Sequence, residues 1–307
     1  MGEDEAFEEN KKNIRTLVAI PCFNVGHTIG SVVLKAKHYV DEVLVVDDGS
    51  TDDTGKVAEY AGAKVLKHNS NNGYGAAIQS CFRYALKNNF DVMTILDGDG
   101  QHDAKFIPDV MKPVINENVD VSIGSRFIDG NGQNVPRYRK FGIGVLTSLT
   151  NAGSKEKHRV TDGQSGFRTY SKNAIKHILP KDNDMGISAE ILMQGRKKNL
   201  EYKETPITCR YDIEGSTQKP FGHGLGVIVS ILKYLEVEHA LLFFGVPGLI
   251  LFFTGLIVGL NVFVSYRSSG FLPFGPTIIM VMLLVIGMLS GMTGLILHAV
   301  INAQRRF

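Results

Sequence analysis

The chain has 307 residues and a formal net charge of +2. That near-balance hides an asymmetry: the first 238 residues hold 30 basic and 31 acidic side chains, while the last 69 hold only Arg267, Arg305 and Arg306. The charged part has no basic excess, which excludes a nucleic-acid footprint, and the uncharged tail sets it apart as one substantial domain with an apolar appendage.

The first 13 residues are polar and acidic, without the apolar run of a secretory signal, so no export signal is expected. Residues 15–20 predict a short strand that stops at Pro21, followed by Cys22-Phe23-Asn24 and a helix over 28–39. Residues 42–46 predict a second strand, apolar enough to be buried on both faces as in a parallel sheet. It ends in Asp47-Asp48-Gly49-Ser50, and Ser50 or Thr51 can cap the next helix, which runs to about Tyr60. A third strand is expected over 63–67. A polar, Gly-rich loop over 69–75 then leads into a helix over 76–87. Cys22, Cys81 and Cys209 show neither metal nor disulfide spacing, which fits a reducing compartment.

Residues 92–96 predict a buried strand that ends abruptly in Asp97-Gly98-Asp99-Gly100-Gln101-His102. Asp-Gly is a common turn signal. Two carboxylates one residue apart also suit a hard divalent cation, with water and phosphate filling the remaining positions. A helix near 105–116 and a strand over 119–124, ending in Gly124-Ser125-Arg126, follow. Alternating strands and helices predict a doubly wound α/β domain, in which ligands sit beyond the C-terminal strand ends. Pro21, Asp47-Asp48, Asp97-Asp99 and Ser125-Arg126 all fall at such ends, so four polar clusters share one crevice. That coincidence favours a ligand site over a plain turn.

Periodicity weakens from 127 to 220. A polar loop leads to Arg137-Tyr138-Arg139-Lys140, and 141–149 is apolar. Asp162-Gly163-Gln164-Ser165-Gly166-Phe167-Arg168 reads as a turn into a short strand, 173–178 and 187–197 as helices, and 202–209 as strand-like. The loop 210–220 carries Arg210 and Lys219. Over 224–238, apolar residues recur at helical spacing with Lys233, Glu236 and Glu238 between them. This segment reads either as an interfacial amphipathic helix or as a helix packed on the domain.

From His239 to Tyr266 there are 28 residues without formal charge, and from Ser268 to Gln304 there are 37. About 20 apolar residues span a bilayer. Two spans are expected, near 240–262 and 276–298, with Arg267 in a short connection. A hairpin returns both ends to one side. Arg305 and Arg306 after the second span favour the cytoplasm, giving a multi-pass membrane protein with a cytoplasmic catalytic domain.

With these motifs in order, residues 15–238 resemble a family 2 glycosyltransferase of the GT-A fold. More closely they resemble its polyprenyl-phosphate branch, the dolichyl-phosphate mannose, glucose and N-acetylglucosamine synthases. The motifs are Pro21-Cys22-Phe23-Asn24, Asp47-Asp48-Gly49-Ser50, Asp97-Gly98-Asp99-Gly100-Gln101-His102, Gly124-Ser125-Arg126, Ser165-Gly166-Phe167-Arg168 and the Arg210–Lys219 loop. Val25 departs from the pattern, since many relatives carry Glu there. The resemblance implies that Pro21, Asn24 and Asp48 line the nucleotide pocket. It implies that Asp97 and Asp99, joined by Gln101, surround Mg2+ or Mn2+, and that Arg210 and Lys219 grip the donor diphosphate. Ser125, Arg126 and Arg139 would meet the acceptor phosphate, and Asp162, Gln164, Arg168 and Glu190 would lie beside the sugar.

The implied reaction joins a nucleotide-sugar to dolichyl or polyprenyl phosphate. The loop at 210–217 and the Gln101-His102 pair lean towards archaeal enzymes using UDP-glucose or UDP-GlcNAc. A GDP-mannose enzyme and a transferase with a non-lipid acceptor are the alternatives, and a non-catalytic nucleotide-binding membrane subunit is the most distant one. A processive polysaccharide synthase is disfavoured, because its relatives carry a Trp-containing acceptor motif and this chain has no Trp.

Overall fold

The computed structural model describes residues 3–128, 140, 143–144, 147–148, 151, 159–184, 186–210 and 241–304. The chain divides into two compact units, Met1–Ile231 and Leu232–Phe307.

The first unit is built on a seven-stranded sheet. In chain order the strands are β1 (Thr16–Cys22), β2 (Glu42–Asp47), β3 (Lys64–Lys67), β4 (Val92–Ile95), β5 (Val121–Ser125), β6 (Arg168–Ser171) and β7 (Tyr202–Pro206); in space they run β3-β2-β1-β4-β6-β5-β7. The first four are mutually parallel, with Cys22 opposite Asp47 and Ala19 opposite Ile95, so their C-terminal ends align. Period-2 alternation explains why these strands are apolar throughout. Leu17, Ala19, Leu44, Val46, Met93 and Ile95 enter one core, and Val18, Ile20, Val43, Val45 and Val92 enter the other.

Helices cover both faces. α4 (Tyr74–Lys87) and α7 (Ile187–Lys197) bury Ile78, Cys81, Ile187 and Leu192 against the first core. α2 (Ile29–Ala36) and α5 (Ile107–Asn116) bury Ile29, Val33, Ile107 and Met111 against the second. α1 (Glu3–Lys11), α3 (Thr54–Tyr60) and α6 (Lys172–His177) complete the unit. A buried Leu or Ile of this kind contributes roughly 1.5–3 kcal/mol.

The sheet departs from simple strand–helix alternation at β6. It is antiparallel to both β4 and β5 and separates them, while β5 and β7 pair in parallel. The pairing is fixed by cross-strand contacts between residues distant in sequence. Thr94 and Thr169 share a hydrogen bond at 2.8 Å, and Tyr170 packs edge-on to Phe82. Only four residues long, β6 carries no periodic signal of its place.

The second unit is a helical hairpin. A π turn over Leu241–Gly245 precedes α8 (Val246–Ser269), and α9 covers Phe274–Gln304. Spans Phe243–Ser269 and Phe274–Ala299 are long and apolar enough to cross a membrane, and each has only 11% of its most apolar stretch buried in the protein. The helices approach closely at glycines. A Cβ on Gly248 would come 2.6 Å from Gly291 N, and one on Gly287 2.6 Å from Phe252 N. Ser290 Oγ donates to Phe244 O at 2.8 Å across the same contact. The connection is shorter than the sequence predicts: Arg267 lies in the last turn of α8, not in the link. The helix continues until Gly270, whose left-handed φ of 72° ends it.

Candidate active site

The ends of β1 and β2 are laced together by side chains. Asn24, held at φ 52°, accepts from Thr51 N at 2.9 Å, and its own N–H donates to Ser50 Oγ at 2.9 Å. Gly26 N donates to Asp52 Oδ2 at 3.0 Å, and Pro21 is buried in β1. Asp47 Oδ1 accepts from Ser50 N at 2.9 Å. Asp48 is 3% exposed and accepts from His68 Nδ1 at 2.6 Å, Asn72 N at 3.0 Å and Gly73 N at 2.9 Å. Its carboxylate ties β2 to the loop before α4. His68 passes the chain on through Nε2 to Ser80 Oγ at 2.9 Å. The structure thus brings Pro21, Asn24 and Asp48 to one end of the crevice, with Asp48 already engaged by the protein.

The end of β4 is different. Asp97 accepts a hydrogen bond from Tyr74 Oη at 3.1 Å, and His102 Nε2 stands 3.8 Å away. Asp99 accepts from Gln101 N at 3.0 Å. Withdrawal from water, and next the charge of Asp99, raise the Asp97 pKa to about 6; Tyr74, Arg126 and Arg168 pull the other way. Gly166 closes on the same carboxylate, since a Cβ there would collide with it. Thr28 Oγ1 donates to Gly98 O at 2.7 Å and braces the turn. Arg210, which the sequence leaves 109 positions downstream of Gln101, is tied to it by Arg210 N donating to Gln101 O at 2.8 Å. A bridge between His102 and Cys209 supports this join. The acidic turn and the backbone of Arg210 are therefore joined, although nothing in local periodicity requires it.

Among the described residues no group of three or more His, Cys, Asp or Glu is gathered for an ion. Asp97 and Asp99 offer two adjacent carboxylates whose mutual repulsion favours a cation, with Gln101 next to them. That donor set fits a hard divalent ion completed by ligand oxygens and water.

The ends of β5 and β6 bring together Ser125, Arg126 and Asp162. Arg126 forms a fork on Asp162, Nε to Oδ2 at 2.7 Å and Nη2 to Oδ1 at 2.7 Å, and its backbone N–H donates to Oδ2 at 3.1 Å. Asp162 is fully buried, and Arg126 is 13% exposed. Ser125 Oγ is bonded to Thr161 Oγ1 at 3.0 Å. Arg126 thus has Asp162 as an internal counterion, and its charge also reaches Asp97. Gln164 Nε2 is buried with no hydrogen-bond partner. Arg168, 2% exposed, donates to Gly163 O at 2.8 Å and Ser188 O at 3.1 Å, while its Nε has no partner. Arg168 braces the turn from behind.

Glu190 accepts from Lys181 N and Asp182 N at 2.9 and 2.8 Å and from Gln194 Nε2 at 2.9 Å. It holds the loop over 181–184, which in turn packs on Gly73 and Gly75.

Two residues of this site stand outside the sequence-level set. Tyr74 was signalled only by its place in the Gly-rich loop. His102 is 6% exposed with an unpartnered Nδ1; burial, then the Arg126 charge, push its pKa down to about 4, so it is neutral at pH 7. Arg139, Lys219, the segment beyond Arg210, the helix expected over 224–238 and Arg305–Arg306 lie outside the described residues.

Residues 17–179 match the model of the family described as Glycosyl transferase family 2. Uncharacterized protein MJ1222 of Methanocaldococcus jannaschii is 35% identical over 229 residues, covering 72% of this chain and 89% of its own. UDP-N-acetylglucosamine--dolichyl-phosphate N-acetylglucosaminyltransferase of Methanococcus voltae is 29% identical over 234 residues, covering 68% and 89%. Glucosyl-3-phosphoglycerate synthase of Mycobacterium tuberculosis, solved with Mn2+ and UDP-glucose, superposes with a TM-score of 0.60 at 21% identity, covering 76% of this chain and 83% of that one. This last likeness is one of fold, and the GT-A arrangement expected from the sequence agrees with it.

Proposed function

The chain belongs to Glycosyl transferase family 2 and is a glycosyltransferase, and on that premise we propose that it transfers a sugar from a nucleotide-sugar to a polyprenyl phosphate such as dolichyl phosphate. The observation that carries the reading is the acidic turn Asp97–Asp99 with Arg210 tied to it through Gln101 O. Asp97, Asp99 and Gln101 would hold Mg2+ or Mn2+, which supplies positive charge to a departing diphosphate. Arg210 would add its guanidinium there, where charge develops on the diphosphate as the sugar is transferred. A phosphate monoester has its second pKa near about 6 and is mostly dianionic at neutral pH, so the acceptor needs no dedicated base. Gln164 Nε2, buried without a partner, offers a donor to a sugar hydroxyl. The low pKa of His102 makes it a neutral wall of the pocket.

Two apolar helices on the same chain support a lipid acceptor. A polyprenyl chain leaves the bilayer at a cost of roughly 0.8 kcal/mol per exposed CH2, so the enzyme goes to the lipid. Arg305 and Arg306 after the second span favour a cytoplasmic catalytic domain. UDP-GlcNAc or UDP-glucose is the proposed donor, with support from the Methanococcus voltae relative. The family premise holds equally for a non-lipid acceptor, as in the phosphoglycerate enzyme whose fold is shared, and that is the second reading.

The test uses the detergent-solubilised full chain with Mn2+. Radiolabelled UDP-GlcNAc, UDP-glucose and GDP-mannose are offered singly with short-chain dolichyl phosphate, and 3-phosphoglycerate serves in a parallel arm. Label entering the organic phase from one donor, and falling at least about a thousandfold in Asp99→Ala, is the expected result. Label appearing only on the soluble acceptor replaces the lipid reading with the second one.

A further inference from the structure

Tyr74 is flanked by close packing and hydrogen bonds on two sides. It opens α4 between Gly73 and Gly75. Gly73 has φ 98°, and a Cβ on Gly75 would come 2.6 Å from Asn183 C and 2.8 Å from Asp184 O. Both glycines are needed for this segment to nest against the backbone at 182–184. Gly75 N donates to Asn183 O at 2.8 Å. On the other side, Asn72 N and Gly73 N donate to Asp48. Gln79, one turn further along α4, donates from Nε2 to Asp182 O and Asn183 Oδ1, both at 3.0 Å. Glu190 secures the far end of that loop through the amides of Lys181 and Asp182. These restraints converge on one phenol, whose O–H meets Asp97 Oδ1 at 3.1 Å.

From this geometry we infer that Tyr74 is a positioning residue for Asp97: its O–H fixes the carboxylate in the orientation that a divalent cation at the Asp97–Asp99 turn requires. The inference rests on the proposed reading of that turn as a cation site. Asp97 is then confined on two sides, by the phenol at Oδ1 and by Gly166. An oriented ligand loses less freedom when it takes a cation, which is why removal of an outer-shell partner typically weakens metal affinity about tenfold or more. The ring itself also packs against the first core, so a purely space-filling role is the competing account. Tyr74→Phe separates the two, because it keeps the ring and removes only the donor.

The measurement is a titration of the detergent-solubilised full chain with Mn2+ in the presence of UDP, in which electron paramagnetic resonance counts free Mn2+. Tyr74→Phe is expected to raise the Mn2+ dissociation constant about tenfold. Gln79→Ala loosens the same brace without touching Asp97 or Tyr74 and is expected to weaken Mn2+ about two- to threefold. Tyr74→Phe binding Mn2+ as tightly as the parent overturns the inference and leaves the cation site standing. A parent chain that takes up no Mn2+ removes the cation site itself, and the inference with it.

Discussion

Two aspartate turns sit at the same edge of the same sheet and are used in opposite ways. Beyond the end of β2, Asp48 and Asp52 are supplied with donors. Asp48 accepts from His68 and the amides of Asn72 and Gly73. Asp52 accepts from Gly26, and from the amide and hydroxyl of Thr54. Burial acts to raise the Asp52 pKa, but the Thr54 hydroxyl and then the amides outweigh it and lower the value. At the end of β4, Asp97 has one phenol, a charged neighbour and a pKa raised to about 6. A strand-end acid given donors by the fold is held by the chain itself, and one left beside another acid with few donors suits the cation proposed above.

This contrast can be broken by mutation. The largest expected effect on stability is at the donor-rich turn. Asp48→Ala leaves the His68 ring and two amides without their acceptor and should cost about 2–4 kcal/mol in denaturant unfolding. A loss below about 1 kcal/mol would mean that water replaces the carboxylate and that the turn is not braced by it. The smallest effect is at the surface. Lys203 and Glu117 pair at 2.6 Å with both side chains about half exposed, so Lys203→Ala should change stability by less than about 0.5 kcal/mol in the same measurement.

The sequence makes the donor-rich and cation-seeking turns look alike, because both read as Asp-Gly turns after apolar strands. What separates them is the supply of partners from distant segments. Strand and helix placement through β5 follows from periodicity, as does the common edge on which Pro21, Asp47, Asp97 and Ser125 stand. The position of β6 between β4 and β5 does not, because it depends on Thr94 meeting Thr169 across 75 positions. The resemblance implies Arg210 at the site, and the fold ties its backbone to the acidic turn through the hydrogen bond to Gln101 O. The resemblance puts Arg126 at the acceptor phosphate and Asp162 beside the sugar, and in the fold the two are matched to each other in a buried fork. Glu190 is likewise spent on a loop. A carboxylate or guanidinium in a sequence shows no sign of whether its partner is a ligand or another part of the chain. Tyr74 was missed for a related reason: a tyrosine beside glycines carries no chemical signature until Asp97 is placed next to it.

The most direct test of the acidic turn is the melting temperature of the full chain in detergent between pH 5 and pH 8, with and without Mn2+ and UDP. Asp97 has a folded pKa above the usual carboxylate value near 4. Its contribution to stability is therefore greatest below about pH 4 and falls as pH rises through about 6, by on the order of 1–3 kcal/mol. A cation reverses that loss. The increment in melting temperature from Mn2+ and UDP should grow as pH rises through about 6 in the parent and be nearly absent in Asp97→Asn. The mutant without ligands should also be the more stable of the two at pH 7. An equal Mn2+ increment in both proteins at every pH would contradict the assignment of this turn as the place where the cation and the donor diphosphate meet.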